Sequence, residues 1–147
     1  MTIASRQLHV APSGIHGLGA FFTTALPAKP FVGMYTGRRY TPAQLARERW
    51  DDRLTYLFSL SNGDTIDGAQ GGNATRHINH ACAPNCYVVE ERNAKGRLVL
   101  KIYTVTAVQP GDEAFIDYGL IIDESSKPSD FPCSCAAPSC RGTLVAN

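Results

Sequence analysis

The chain has 147 residues, 44% of them hydrophobic, and a net charge of +1 with histidine neutral. That length can bury one core without disulfides or a partner, and so small a charge argues against direct binding of a nucleic-acid backbone. The opening MTIASRQLHVAPSG lacks the basic start and continuous apolar stretch of a secretory signal, and no apolar run approaches a membrane span; an intracellular protein of cytoplasm or nucleus is expected.

Short segments rich in Val, Ile, Phe and Tyr, separated by Gly, Pro and Asn clusters, predict a mostly β fold. Candidate strands cover 8–10, 20–23, 31–35, 55–60, 87–91, 98–105 and 113–116. The fifth and sixth flank RNAKG, which reads as a hairpin loop closed around Gly96. One helix is signalled between the third and fourth strands. Thr41 can cap it, Pro42 suits its first position, and Gln44 completes a capping box. Ala46, Trp50 and Leu54 then recur at four-residue spacing and predict one apolar face. Residues 125–132, SSKPSDFP, read as a polar linker, which divides the chain into a body over 1–124 and a linker with a cysteine-rich tail over 125–147.

Five cysteines, an odd number, in a chain without an export signal fit a metal site with one thiol to spare better than a disulfide scaffold. The tail CSCAAPSCRG holds Cys133, Cys135 and Cys140 as C-x-C-x4-C. A closed tetrahedral zinc site needs four ligands. The fourth must come from Cys82 or Cys86, which both lie in the octapeptide NHACAPNC at 79–86. A zinc hydrolase is disfavoured, because four thiolates leave no open position for water.

Two loops carry further chemistry. SGIHGLGAFF places Gly17, Leu18 and Gly19 just before a strand, where glycines admit close approach of a ligand and offer N–H groups to an anion. No third glycine opens a helix, so this is not a dinucleotide fingerprint. QPGDEAFIDYGL has a Pro-Gly turn, a short strand and then Asp117-Tyr118-Gly119.

Taken in order, GIHGLG, MYTG at 34–37, GGNATRHINHACAPNC at 71–86, GDEAFIDYG at 111–119 and the CSCAAPSCRG tail resemble the SET-domain protein lysine methyltransferases with a post-SET zinc tail. The match spans about 8–144 and is similar to the small free-standing members of bacteria and viruses. The resemblance implies a mostly β fold of several small sheets, with one short inserted helix and a zinc-bound tail. It also implies that the Asn-His-x-Cys segment is tucked against the tyrosine loop in a pseudoknot-like arrangement, a departure from unthreaded chains.

By position, the resemblance assigns the methionine part of S-adenosylmethionine to the backbone of Gly17, Leu18 and Gly19 and to Asn79. It assigns the adenine to the main chain of His80 and to Leu144 over its face, with Arg76 supporting the same pocket. Tyr118 and Tyr35 match the channel tyrosines, Tyr118 orienting the amine and Tyr35 lining the channel. Cys82 joins Cys133, Cys135 and Cys140 as the structural zinc ligands, leaving Cys86 buried and inert, while His16 and His77 are surface or packing residues.

Two positions depart from the family pattern. His77 stands where members usually carry an aromatic residue. Ile116 stands where they carry Phe or Tyr; lacking a hydroxyl to hold water beside the amine, it implies tolerance of di- or trimethylated product. The implied activity is methyl transfer to a lysine of a basic protein, histone or histone-like; the alternative is an inactive SET-fold peptide-binding module. Residues 1–108 carry 12 Lys/Arg against 7 Asp/Glu, whereas 109–147 carry 2 against 6. Asp112, Glu113, Asp123, Glu124 and Asp130 are therefore expected to form a negative surface that steers a basic substrate.

Overall fold

The computed structural model describes residues 7–14, 17–47, 56–118, 127, 129, 133, 135 and 138–143. The best-signalled segments form its centre. Strand β9 (Leu98–Thr104) is buried along most of its length because it is the middle strand of an antiparallel sheet, between β3 (Phe31–Tyr35) and β8 (Cys86–Arg92). The β8–β9 hairpin pairs Cys86 with Thr104 through to Arg92 with Leu98. Asn93 organises its turn, its side-chain oxygen accepting from the N–H groups of Lys95 and Arg97.

Three small sheets surround this one. β1 (Leu8–Pro12) pairs antiparallel with β2 (Leu18–Phe22), and β6 (Thr65–Asp67) lies between β4 (Arg38–Tyr40) and β5 (Leu57–Ser59). The last pair is parallel: β7 (Asn79–His80) runs beside β10 (Phe115–Ile116), joining two segments widely separated in the chain. A 3-10 turn over Ala74–His77 leads into β7, its Asn73 cap accepting from the Thr75 N–H. Phe22, Val32, Ile66, Ile78 and Ile102 are almost wholly removed from solvent where the sheets meet. Among the described residues no helix is long and apolar enough to cross a membrane.

The capping box is present: Thr41 Oγ1 accepts from the Gln44 N–H at 3.2 Å and Gln44 Oε1 from the Thr41 N–H at 2.9 Å. Helix α1 nevertheless spans only Pro42–Leu45. Ala46 is its exposed C-cap and not the start of a buried face, a correction to the expected periodicity. Trp50, Leu54 and the expected boundary at 124/125 lie outside the described residues. β4 and β6 were not expected at all; with three residues each, they are too short to display an alternating pattern.

Candidate active site and metal centre

The parallel pairing of β7 and β10 sets Asn79 opposite Phe115 and His80 opposite Ile116. Two residues beyond β10, Tyr118 folds back on β7. Its hydroxyl donates to the Ile78 carbonyl at 2.7 Å and its backbone N–H to His80 Nδ1 at 3.0 Å. The rings of Tyr118 and His80 meet edge to face with centroids 5.4 Å apart. Ile116, also buried, accepts from the Ala81 N–H at 3.1 Å.

Tyr35 ends β3 in the core, its ring 4.6 Å from that of Phe58 and its hydroxyl donating to the Tyr56 carbonyl at 2.6 Å. Gly68 is required beside it, since a Cβ there would stand 2.6 Å from Tyr35 Cζ. Burial foremost, reinforced by Tyr118, Asp67 and Tyr56 around Tyr35 and by Tyr56 and Glu113 around Tyr118, holds both phenols well above the ordinary range, against the opposing pull of Arg76 on Tyr35. Both are therefore neutral at physiological pH. With each hydroxyl proton engaged by a carbonyl, the oxygens keep lone pairs to accept from a donor such as an amine.

On the other side of β7, Asn79 faces the glycine loop. Its Nδ2 donates to the Leu18 carbonyl at 3.1 Å and to Glu113 Oε2 at 2.9 Å. Gly17 has φ of +48°, and a Cβ built on it would meet no atom within 4 Å, so the loop is open toward solvent at that point. Leu18 is 49% exposed. Arg76 donates to His77 Nε2 at 3.0 Å and to the Ala69 carbonyl at 3.3 Å, and its charge reaches Tyr35. His77 is accordingly a packing residue. Leu144 and His16 lie outside the described residues.

The sulfur atoms of Cys82, Cys133, Cys135 and Cys140 lie within 4.8 Å of one another. A tetrahedron with metal–sulfur bonds of about 2.3 Å has edges of about 3.8 Å, and the Cys82–Cys133 separation is 3.9 Å. Backbone N–H groups already face the sulfurs: Arg141 N lies 3.3 Å from Cys82 Sγ and Gly142 N 3.3 Å from Cys140 Sγ. Burial foremost, then hydrogen bonding with the other thiols, pushes Cys133 up to about 12. Four thiols so crowded favour deprotonation only around a cation, so the donor set fits a four-coordinate metal ion. Cys86 is absent from this cluster. It is fully buried at the start of β8, and burial pushes its thiol up to about 12.

The His80 ring joins the two halves of the site. Nδ1 accepts from the Tyr118 N–H, so Nε2 carries the proton and points it at Cys82 Sγ, 3.3 Å away. Burial holds this imidazole below its usual range, against the opposing pull of Asp117. Sequence reasoning used only the backbone of His80. Tyr56, inside the strand expected over 55–60, lies close enough to both Tyr35 and Tyr118 to raise their phenols. Glu113 was assigned to an acidic surface, but its carboxylate instead accepts from Ser13 and Asn79. Asp123, Glu124 and Asp130 of that surface lie outside the described residues.

Comparison with known proteins bears on the same segments. The SET domain family model matches residues 17–119. The H3 lysine-4 specific histone-lysine N-methyltransferase of Schizosaccharomyces pombe is 33% identical over 150 residues, covering 95% of this chain and 15% of that protein. Histone-lysine N-methyltransferase SETD1 of Drosophila melanogaster is 32% identical over 145 residues, and SETD1B of Homo sapiens 30% over 144 residues. Each of these alignments covers 95% of this chain, which spans only 8% and 7% of those two relatives. The matched region opens at the glycine loop and closes just past the tyrosine that folds onto Ile78 and His80, and the chain belongs to the SET-domain family.

Proposed function

We propose that the protein is an S-adenosylmethionine-dependent protein-lysine N-methyltransferase. The observation that supports this reading is the parallel register of Asn79-His80 with Phe115-Ile116, with the Asn79 amide bonded to the glycine loop on one side of β7 and the neutral Tyr118 phenol bonded to the Ile78 carbonyl on the other. The relatives' names support the same class of reaction. When bound, S-adenosylmethionine supplies a methyl group activated by a sulfonium.

The backbone of Gly17 to Gly19, open at Gly17, and the Asn79 amide would hold the cofactor's amino-acid part, and the main chain of His80 its adenine. Arg76 and Leu144 would complete the pocket. The chain's remaining task is to present a neutral amine. A lysine has a pKa of about 10.4, so deprotonation at pH 7 costs about 4–5 kcal/mol. The apolar surroundings of Tyr35 and Tyr118, with Phe58 and Ile116 beside them, disfavour the ammonium and lower that cost. The two phenol oxygens accept from the amine and aim its lone pair. Alignment of this kind removes several kcal/mol from a bimolecular barrier, and phenols held neutral do so without acting as a base.

Zinc on Cys82, Cys133, Cys135 and Cys140 would clip the tail to β7, next to the His80 ring that supports Tyr118. With four thiolates it carries a formal charge of about −2, which favours a basic substrate such as a histone or histone-like tail. The test is calorimetric binding of S-adenosylmethionine followed by transfer of labelled methyl to a basic protein. Tyr118→Phe should bind the cofactor and lose transfer; a wild-type protein that binds none rejects the proposal.

A further inference from the structure

Glu113 has the connectivity of a hub. Ser13 Oγ lies 3.0 and 2.9 Å from its two carboxylate oxygens, and Asn79 Nδ2 donates to one of them at 2.9 Å. Its backbone is fixed independently: its carbonyl accepts from Asn85 Nδ2 at 2.8 Å, and Asn85 Oδ1 accepts from the Phe115 N–H at 2.8 Å. Glu113 also forms an isolated bridge with Phe21 of β2. The glycine loop is built around its carboxyl group, because a Cβ at Gly19 would stand 2.9 Å from the carboxyl carbon.

We propose that Glu113 is a positioning residue that sets the orientation of the Asn79 amide and ties it to the glycine loop. The inference rests on the cofactor reading above and deepens it. An ionised carboxylate only accepts hydrogen bonds, and so does the Leu18 carbonyl. Both neighbours therefore demand the NH2 end of the amide, and Oδ1 is turned away from them. The amide's acceptor thus lies on the side away from Leu18 and Glu113, and an acceptor is what the ammonium of an amino-acid moiety requires. A glutamine at 113 keeps the shape but can donate as well as accept. It no longer dictates which way the amide lies.

The experiment compares wild type with Glu113→Gln by cofactor calorimetry, by the side-chain amide NMR signals of Asn79 in the ligand-free protein, and by thermal melting. The expected result is a displaced or doubled Asn79 amide signal and a cofactor Kd raised about tenfold. In turnover, cofactor KM rises more than kcat falls, whereas a purely structural role would lower the melting point and leave the amide signal single. A folded Gln variant with wild-type Kd and wild-type Asn79 signals overturns the inference while the cofactor reading stands. A wild type that does not bind the cofactor overturns both. Should the Gln variant not fold, Ser13→Ala removes one anchor of the carboxylate and leaves Asn79 intact. An unchanged Kd in that variant overturns the inference, and a rise of about threefold supports it.

Discussion

Replacing Arg141 tests whether the cysteine tail and the tyrosine loop are mechanically coupled. Arg141 follows Cys140, and its guanidinium makes two parallel bonds to Asp117, at 3.0 and 3.1 Å, next to Tyr118. Its backbone N–H faces Cys82 Sγ, and Asp117 Oδ1 lies 3.7 Å from His80 Nδ1. A fully desolvated charged pair of this geometry contributes about 1.5–3 kcal/mol. Here Asp117 is 42% exposed, which moves the figure toward the exposed-pair range. Arg141 Nε, buried with no hydrogen-bond partner among the described residues, subtracts further. A net of about 1 kcal/mol remains, or about fivefold in an equilibrium. Arg141→Ala in the zinc-loaded protein should therefore release metal to a chromogenic chelator about fivefold faster. Arg141→Lys keeps the charge but loses the fork, and should recover only part of the difference. High salt should narrow the gap by screening the exposed carboxylate. If the Ala and Lys variants both released zinc at the wild-type rate, or if Lys restored it fully, the argument from bidentate geometry would fail.

Three further outcomes are expected. A thiol reagent at pH 8 should find almost no reactive cysteine in the zinc-loaded protein, four after chelation and the fifth only on unfolding. Cys86 is fully buried in the core, whereas Cys82, Cys133, Cys135 and Cys140 are only partly covered; a fast fifth thiol in the folded protein would contradict its burial. Cys133→Ser should lose zinc and weaken cofactor binding together, whereas full metal content by atomic absorption would break the four-ligand assignment. With Ile116 buried beside His80 and bringing no hydroxyl to the channel, mass spectrometry of a good substrate peptide should find di- or trimethyl product; strictly monomethyl product would refute that reading.

What could be read from the chain alone follows the range of the interactions involved. The capping box around Thr41 is closed by residues three apart, so it is legible; α1 itself ends after Leu45 with no buried residue, and the expected periodic face does not begin at Ala46. The β8–β9 hairpin is legible for the same reason, its seven-residue strands and Asn93 turn all being local. β7 and β10 have two residues each; β10 falls inside the strand expected over 113–116, whereas β7 has no pattern of its own and nothing local pairs the two. They exist because each supplies the other's ladder, a cause that lies entirely in tertiary contact.

The cysteines and Glu113 mark the limit from opposite directions. Counting shows that a three-cysteine tail needs a fourth partner from 79–86, but spacing does not choose between Cys82 and Cys86. The choice is made by strand position: Cys82 lies beyond β7, beside the tail sulfurs, and Cys86 enters β8 with its side chain in the core. Glu113 follows Pro-Gly-Asp, where an acidic residue reads as a solvated turn. Nothing within ten residues of it hints at Ser13 or Asn79, the two groups its carboxylate serves. The one sequence trace of that role is Gly19, whose missing side chain leaves the space that the carboxyl group occupies. A glycine next to a binding loop can thus record the close approach of a residue far along the chain, and Gly19→Ala should push directly on the Glu113 carboxyl group and disturb Asn79 through it.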